Sequence, residues 1–346
     1  MKTGLRTSDY DYDLPPERIA QSPNEPRDQS RLLIVDRATG RIEHRVFADL
    51  QDLISPGDAL VLNTSRVMRA RLLGRRESGA PGEVFLLRPC GAGKRFEAMV
   101  HPGGKLRPGR VLHVAPELDI VIEALTDRRT RIVRLETPLE ASAAIEQLGH
   151  VPLPPYIARP DGPADAERYQ TVYARETGSV AAPTAGLHFT PRLLNALAQR
   201  RVRRVEVLLH VGAGTFKPVQ GDDPAQHVMH EEWYEVNDVA ASELNATRRA
   251  NGRIWAVGTT SVRTLEAIAA DDGSFRAARG ETRLFLRPPY TWRAVDRVVT
   301  NFHLPRSTLL MLVAAFAGYE LTMEAYRVAL AEGYRFYSYG DAMAII

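Results

Sequence analysis

The sequence predicts an α/β fold: a layered, largely parallel sheet domain with an inserted small all-β barrel domain. Three observations carry this. Strands and helices alternate in the second half of the chain, short evenly spaced strands fill the stretch before it, and the rigid Val151-Pro-Leu-Pro-Pro155 run marks the return from one texture to the other. The boundaries that follow are 1–65 and 151–346 for a discontinuous α/β catalytic domain and 66–150 for the barrel. A chain of 346 residues fits two domains better than one, at roughly 150 residues each.

In chain order, Arg31 to Asp36 reads as a strand, Thr39-Gly40 as a turn, and Arg41 to Val46 as a second strand. A short helix follows near Phe47 to Ile54, ended by the Ser-Pro-Gly-Asp cluster at Ser55 to Asp58, and Ala59 to Asn63 is a buried strand. The barrel strands are expected at Met68 to Leu73, Glu83 to Arg88, Phe96 to Val100, Arg110 to Val114, Leu118 to Ala124 and Arg131 to Leu135, then a helix at Leu139 to Leu148 closed by Gly149. Thr190-Pro191 is a helix start, with Thr as cap and Pro in the first turn. Next come a strand at Val205 to Val211, a helix from Asn237 or Asp238 to Ala250, a strand at Arg253 to Gly258 and a helix at Ser261 to Ala270. Strands at Arg283 to Leu286 and Arg297 to Thr300 precede helices at Ser307 to Ala317 and Thr322 to Glu332.

Composition narrows the function. Apolar residues are 44% and charged residues 25%, an ordinary globular pattern. The longest apolar run, Leu309 to Ala317, spans nine residues, about half of what a bilayer requires. Asp9, Asp11 and Asp13 stand where an export signal needs an apolar core, so a cytoplasmic location is expected. A single cysteine, Cys90, excludes an internal disulfide and cysteine-rich metal sites. Charge is uneven: Arg66 to Arg110 holds eleven Lys or Arg against three Glu, within a chain of net charge only +3. A polyanion is the partner such a segment suits, and a solvated arginine-rich face is the alternative.

Ligand sites in α/β sheets lie just beyond strand C-termini, where helix N-termini offer free N–H groups. Three segments qualify. Gly258-Thr-Thr-Ser-Val-Arg263 ends a buried strand and opens a helix, as a carboxylate site or simply as a cap. Thr300-Asn-Phe-His-Leu-Pro305 brings Asn301 and His303 to a strand end. His210-Val-Gly-Ala-Gly-Thr-Phe216 permits close backbone approach, without the third glycine of a dinucleotide fingerprint. A fourth segment, Gly178 to Thr190, surrounds His188 with small residues ahead of the capped helix. At each histidine a structural role competes with a chemical one. No Walker loop or Gly-x-Ser-x-Gly elbow is present, and His227, His230 and Glu231 lack zincin spacing, so no metal is expected.

Taken together these segments resemble one family, the S-adenosylmethionine:tRNA ribosyltransferase-isomerases of queuosine biosynthesis. The carriers are Tyr12-Asp-Leu-Pro-Pro-Glu17, Arg27-Asp-Gln-Ser-Arg-Leu-Leu33, Val151-Pro-Leu-Pro-Pro-Tyr-Ile157, Arg168-Tyr-Gln-Thr-Val-Tyr-Ala174, Ser179 to Thr190 and His210 to Phe216. To these add His227-Val-Met-His230, Val257-Gly-Thr-Thr-Ser-Val-Arg-Thr-Leu-Glu266, Thr300 to Leu312 and Tyr334-Arg-Phe-Tyr-Ser-Tyr-Gly-Asp-Ala-Met343, so the resemblance runs end to end. Thr64, where the family usually has Asp, and Pro289, where it has Gly, are departures.

The resemblance implies that the ribosyl part of S-adenosylmethionine is transferred and isomerised onto 7-aminomethyl-7-deazaguanine at the anticodon wobble position of tRNA. Adenine and methionine leave and epoxyqueuosine forms. S-adenosylmethionine is then a consumed co-substrate, no separate cofactor or metal is required, and the protein is a monomer. The sulfonium acidifies the ribose 5′ hydrogens, so the chemistry asks for a base there and an acid near the adenine; His188, His210 and His303 are the catalytic candidates. Tyr156, Tyr173 and Phe189 are candidate aromatic faces for the sulfonium. Gly258, Thr259, Thr260, Ser261 and Arg263 are candidates for the methionine carboxylate, with Thr184 and Asn301 completing the donor site. For tRNA phosphates the candidates are Arg66, Arg69, Arg71, Lys105, Arg107 and Arg110. A tRNA methyltransferase and a non-catalytic RNA-binding protein are the competing readings; release of free adenine separates them from a ribosyltransferase.

Overall fold

In a computed structural model, residues 3–91, 93–212, 214, 219 and 221–346 are described. The strands in chain order are β1 (Arg31–Val35), β2 (Ile42–Val46), β3 (Ala59–Asn63), β4 (Ser65–Val67), β5 (Arg71–Arg76), β6 (Pro81–Pro89), β7 (Arg95–His101), β8 (Val111–Ala115), β9 (Leu118–Leu125) and β10 (Arg131–Glu136). They continue with β11 (Glu176–Ser179), β12 (Arg203–Leu209), β13 (Glu232–Val236), β14 (Ile254–Val257), β15 (Ala278–Thr282), β16 (Arg297–Asn301) and β17 (Ala342–Ile345). The helices are α1 (Leu50–Leu53), α2 (Ala141–Leu148), α3 (Asp165–Arg168), α4 (Pro191–Gln199), α5 (Asp238–Arg249), α6 (Gly258–Ile268), α7 (Thr308–Ala317) and α8 (Tyr319–Ala331).

A nine-stranded sheet in the order β15-β13-β12-β3-β14-β16-β17-β1-β2 forms the body. Its centre, β12 through β16, is parallel, whereas the edges and the β16–β17 pair are antiparallel. Both faces are covered, and the period-two alternation of strand side chains shows how. Ala59 and Val61 of β3 face a core that also holds Leu244 of α5, Val262 and Leu265 of α6, Leu310 of α7 and Tyr326 of α8. Leu60 and Leu62 point the other way, toward Leu50, Leu193 and Leu197 of α1 and α4. The helix start at Thr190 is as the sequence predicts: its hydroxyl accepts from Leu193 N–H at 3.1 Å.

The middle of the chain closes into a six-stranded antiparallel barrel, β10-β7-β6-β5-β8-β9. Its interior is apolar, with Leu72, Val84, Leu86, Leu112, Ile120, Ile122 and Val133 buried, and Ile145 of α2 packs against it. Gly74 lets the barrel close here, because a Cβ at that position would stand 2.3 Å from the His113 carbonyl oxygen.

The expected strand at Arg283 to Leu286 does not form. Leu286 is buried, but the segment runs as a loop into Pro288 and Pro289, which cannot donate to a ladder, and the pairing partner of β13 is the polar β15 just before it. Of the expected strand from Met68 to Leu73 only Arg71 to Leu73 forms, as the start of β5; Met68 to Ala70 lie between β4 and β5. Thr64, the departure from the family pattern, sits buried with its hydroxyl on the Val207 carbonyl. Among the described residues no single helix is long and apolar enough to cross a membrane; α7 and α8 qualify only as a pair bent by 114°, and α7 is mostly buried.

Candidate active site

The parallel strands β14 and β16 end side by side, and the loops beyond them line one open cleft of about 650 Å³. β14 passes directly into α6 through Gly258, whose φ of +82° is left-handed backbone that glycine adopts without strain. Among the described residues no side chain caps the start of this eleven-residue helix, whose first residues Gly258, Thr259 and Thr260 line the cleft with N–H groups that have no partner within the helix. In its first turn the hydroxyls of Thr260 and Ser261 are buried without a partner. An anionic group is the ligand this end of the cleft favours.

From β16 come Thr300, Asn301, Phe302 and His303. Asn301 is 1% exposed, and its Nδ2 lies 3.1 Å from both His188 Nε2 and the Tyr337 carbonyl and 3.4 Å from the Asp341 carbonyl. Its Oδ1 has no partner among the described residues. His303 Nε2 bonds Thr300 Oγ1 at 2.7 Å, and burial pulls the imidazole down to about 3. Tyr156 and Tyr337 form an aromatic wall with ring centroids 4.6 Å apart, and Tyr156 shares a hydrogen bond with Ser338 at 2.7 Å.

Of the residues singled out from sequence, the cleft therefore gathers Tyr156, Thr184, Gly258, Thr259, Thr260, Asn301 and His303. Tyr173 and Phe189 lie apart from it, in the core on the face of α4, with Phe189 edge-on to Phe47 at 5.0 Å. Arg263 turns toward β13, paired with Glu232 and donating to the Leu284 carbonyl at 3.2 Å, where it borders a second pocket of about 460 Å³. His210 stacks on Trp233 at 5.3 Å, and burial lowers its pKa. Gly178 makes room for that ring, since a Cβ there would come within 2.5 Å of it. Ala213, Thr215 and Phe216 of the glycine-containing segment lie outside the described residues.

His188 stands behind the cleft. It ends a short 3-10 turn at Thr184–His188, stacks on Phe47 at 4.9 Å, and bonds Ser30 through Nδ1 at 2.7 Å. Burial, with the guanidiniums of Arg335 and Arg27 adding to it, pulls His188 down to about 3. Ser30, Tyr337, Ser338 and Arg27 were not among the residues marked from sequence. Arg27 is buried and donates to the carbonyls of Gln170, Leu187 and Glu167, fixing the turn that carries His188. Ser30, Tyr337, Ser338 and Arg27 lie inside two of the stretches that carry the family resemblance, Arg27 to Leu33 and Tyr334 to Met343, without having been singled out as site residues.

These histidines give a pH prediction for stability. His188 and His303 stay neutral in the folded chain down to about 3, while the unfolded chain protonates them near 6.5. The unfolded state thus binds more protons between those limits, and stability falls as pH drops through that window. Each histidine adds a slope of about 1.4 kcal/mol per pH unit. Urea unfolding of His188→Gln between pH 4 and pH 6 should show a dependence shallower than wild type by about that amount; parallel curves would contradict the assignment.

On the barrel side, Arg71 forms a two-point pair with Glu83 (2.8 and 3.0 Å), Arg110 meets Glu77 at 3.0 Å and Arg69 lies 3.6 Å from Glu146. Lys105 and Arg107 are exposed in the loop between β7 and β8, Arg66 is half-buried beside β4, and none of the three meets a carboxylate among the described residues. The basic stretch is thus neutralised in part by its own glutamates.

Comparison with known proteins places the whole chain. The family model described as "Queuosine biosynthesis protein" matches residues 7–345. An S-adenosylmethionine:tRNA ribosyltransferase-isomerase of Symbiobacterium thermophilum is 53% identical over 99% of this chain and 100% of its own length. One from Syntrophomonas wolfei is 51% identical over 99% of this chain and 97% of its own. Among solved structures, S-adenosylmethionine tRNA ribosyltransferase of Thermotoga maritima matches with a TM-score of 0.57 at 41% identity, covering 97% of this chain and 99% of that one.

Proposed function

Since this chain belongs to the queuosine biosynthesis protein family, whose members it matches from end to end, we propose that it is an S-adenosylmethionine:tRNA ribosyltransferase-isomerase acting in queuosine formation on tRNA. The acceptor is 7-aminomethyl-7-deazaguanine at the wobble position. The ribosyl group of the donor is transferred to its aminomethyl nitrogen and isomerised to the epoxycyclopentane of epoxyqueuosine, with adenine and methionine as the leaving products. The enzyme works as a monomer in the cytoplasm, and residues 66–150 form an inserted domain that docks the tRNA.

The observation that supports the placement of the donor is the cleft at the β14 and β16 ends, where an uncapped helix start and a buried, unpartnered acceptor face one space. The methionine carboxylate goes to the start of α6, where Thr259 and Thr260 add hydroxyl donors. The sulfonium sits near the Tyr156 ring, which attracts a cation through its face. His303 borders the same space and is the first candidate to take a proton from the carbon next to sulfur. His210, at the end of β12, is the second candidate for proton transfer.

Incubating the protein with S-adenosylmethionine and an anticodon stem-loop carrying the modified base, and following adenine by chromatography, tests this. Adenine and methionine in equal amounts are expected, dependent on the stem-loop; S-adenosylhomocysteine as the product would replace the reading with methyl transfer.

A further inference from the structure

We infer that His188 is a positioning residue, and that it fixes the amide of Asn301 so that Oδ1 accepts a hydrogen bond from the exocyclic amine of the donor's adenine. This rests on the reading that the cleft takes S-adenosylmethionine, and it assigns the purine subsite within it.

The hydrogen-bond chemistry leaves little freedom. The Tyr337 and Asp341 carbonyls can only accept, so the amide edge of Asn301 that faces them at 3.1 and 3.4 Å must be the NH2 group. The NH2 has two protons for three neighbours; the two 3.1 Å contacts, the Tyr337 carbonyl and His188 Nε2, take them and Asp341 at 3.4 Å is the weaker contact, and since an amide NH2 cannot accept, Nε2 accepts and carries no proton. The imidazole proton is then on Nδ1 and is donated to Ser30 Oγ at 2.7 Å. Both ring nitrogens are engaged, and the ring is clamped against Phe47. His188 borders the smaller pocket behind the cleft rather than the cleft itself. A proton carrier needs a nitrogen open to the reacting atoms, and His188 has none.

Asn301 Oδ1 is the other end of this chain of contacts. It is a buried acceptor without a partner, which costs about 1–3 kcal/mol if left so. A ligand N–H relieves that cost. With the carboxylate at the α6 start and the sulfonium near Tyr156, the purine falls to the Tyr337 side of the aromatic wall, and the Tyr337 carbonyl is one of the groups that hold Asn301. Ser30, His188 and Asn301 come from three distant parts of the chain and form one relay whose product is the orientation of a single oxygen.

The test compares two donors, S-adenosylmethionine and its analogue with unsubstituted purine in place of adenine, by kcat/KM for base release with the full chain and saturating modified stem-loop. The readout is the ratio of the two donors within each variant, so the intrinsic leaving-group difference and the fraction of folded protein both cancel. Asn301→Ala is expected to shrink the wild-type ratio by about tenfold to a hundredfold, and His188→Ala to do the same. His188→Gln presents an amide oxygen where Nε2 stood; it is expected to retain the ratio, with kcat/KM within about tenfold of wild type and an unmoved pH profile, whereas loss of an acid or base costs about a hundredfold or more. Equal ratios in wild type and Asn301→Ala, with adenine still released, overturn the inference and leave the donor reading standing. A moved pH profile or a hundredfold loss in kcat for His188→Gln with the ratio retained overturns the positioning role. If neither base is released by wild type, the donor reading fails and the inference falls with it.

Discussion

Glu232→Ala is expected to destabilise the protein by about 3–5 kcal/mol, because it strands a buried guanidinium. Arg263 and Glu232 have side chains only 7% and 5% exposed. Without the carboxylate, Arg263 retains, among the described residues, the carbonyls of Leu284 and Thr282, and the Gly212 N–H loses the acceptor it meets at 3.1 Å. The pair also joins α6 to β13, and the start of α6 forms one wall of the cleft. The physics makes a second demand that separates pairing from mere packing. Replacing both partners by apolar residues of similar volume, Glu232→Leu with Arg263→Met, removes two desolvation costs along with one attraction. The double variant should therefore lie within about 2 kcal/mol of wild type in urea unfolding. If the two single losses simply add, the pair is not acting as a buried ion pair.

The second large effect concerns tRNA. Five of the eleven basic residues from Arg66 to Arg110 meet carboxylates: Arg69, Arg71, Arg88, Arg95 and Arg110. Counterion release comes from cations that gain phosphates without first losing a partner. Lys105 and Arg107, exposed in the loop around Gly103 and Gly104, are free of that constraint. Lys105→Ala with Arg107→Ala is expected to flatten the slope of log K against log salt by about 1.5 to 2, and to weaken tRNA binding by ten- to a hundredfold at low salt. Arg71→Ala with Arg110→Ala removes the same formal charge yet frees two glutamates, which repel the phosphates, so it should weaken binding through that repulsion while changing the slope less. Filter binding at several salt concentrations reads both. Identical slopes for the first double variant and wild type would remove the loop from the tRNA interface.

The contrast between those two doubles shows where sequence stops being informative. Counting charges located the basic segment, but not which guanidiniums are spent on glutamates across the barrel, because Arg71 and Glu83 become neighbours only through the register of β5 with β6. The barrel itself was legible, since each of its strands alternates over a short span bounded by Gly, Pro or charge. The strand ends at Gly258 and Asn301 were legible for a similar reason: an apolar run stops abruptly at a hydroxyl- and amide-rich turn. β17 was not, because Ala-Met-Ala-Ile is too short and too uniformly buried to show a period, and β15 was not, because an edge strand of Ala-Arg-Gly-Glu-Thr carries no apolar face. His188 drew attention through the small residues that surround it in sequence. Its partners Ser30 and Asn301 are 158 and 113 residues away, so no spacing rule connects them. Tyr173 and Phe189 read from sequence as faces for the sulfonium, and in the fold they are packed in the core with Leu193 and Leu197 of α4.

A crystal structure of the protein with S-adenosylhomocysteine and the modified stem-loop locates the donor directly. The amino-acid carboxylate is expected at the first N–H groups of α6 and the adenine amine about 3 Å from Asn301 Oδ1, with His188 still bonded to Ser30 and Asn301. Ligand density in the pocket between Arg263 and His227, or against the barrel, would contradict this placement.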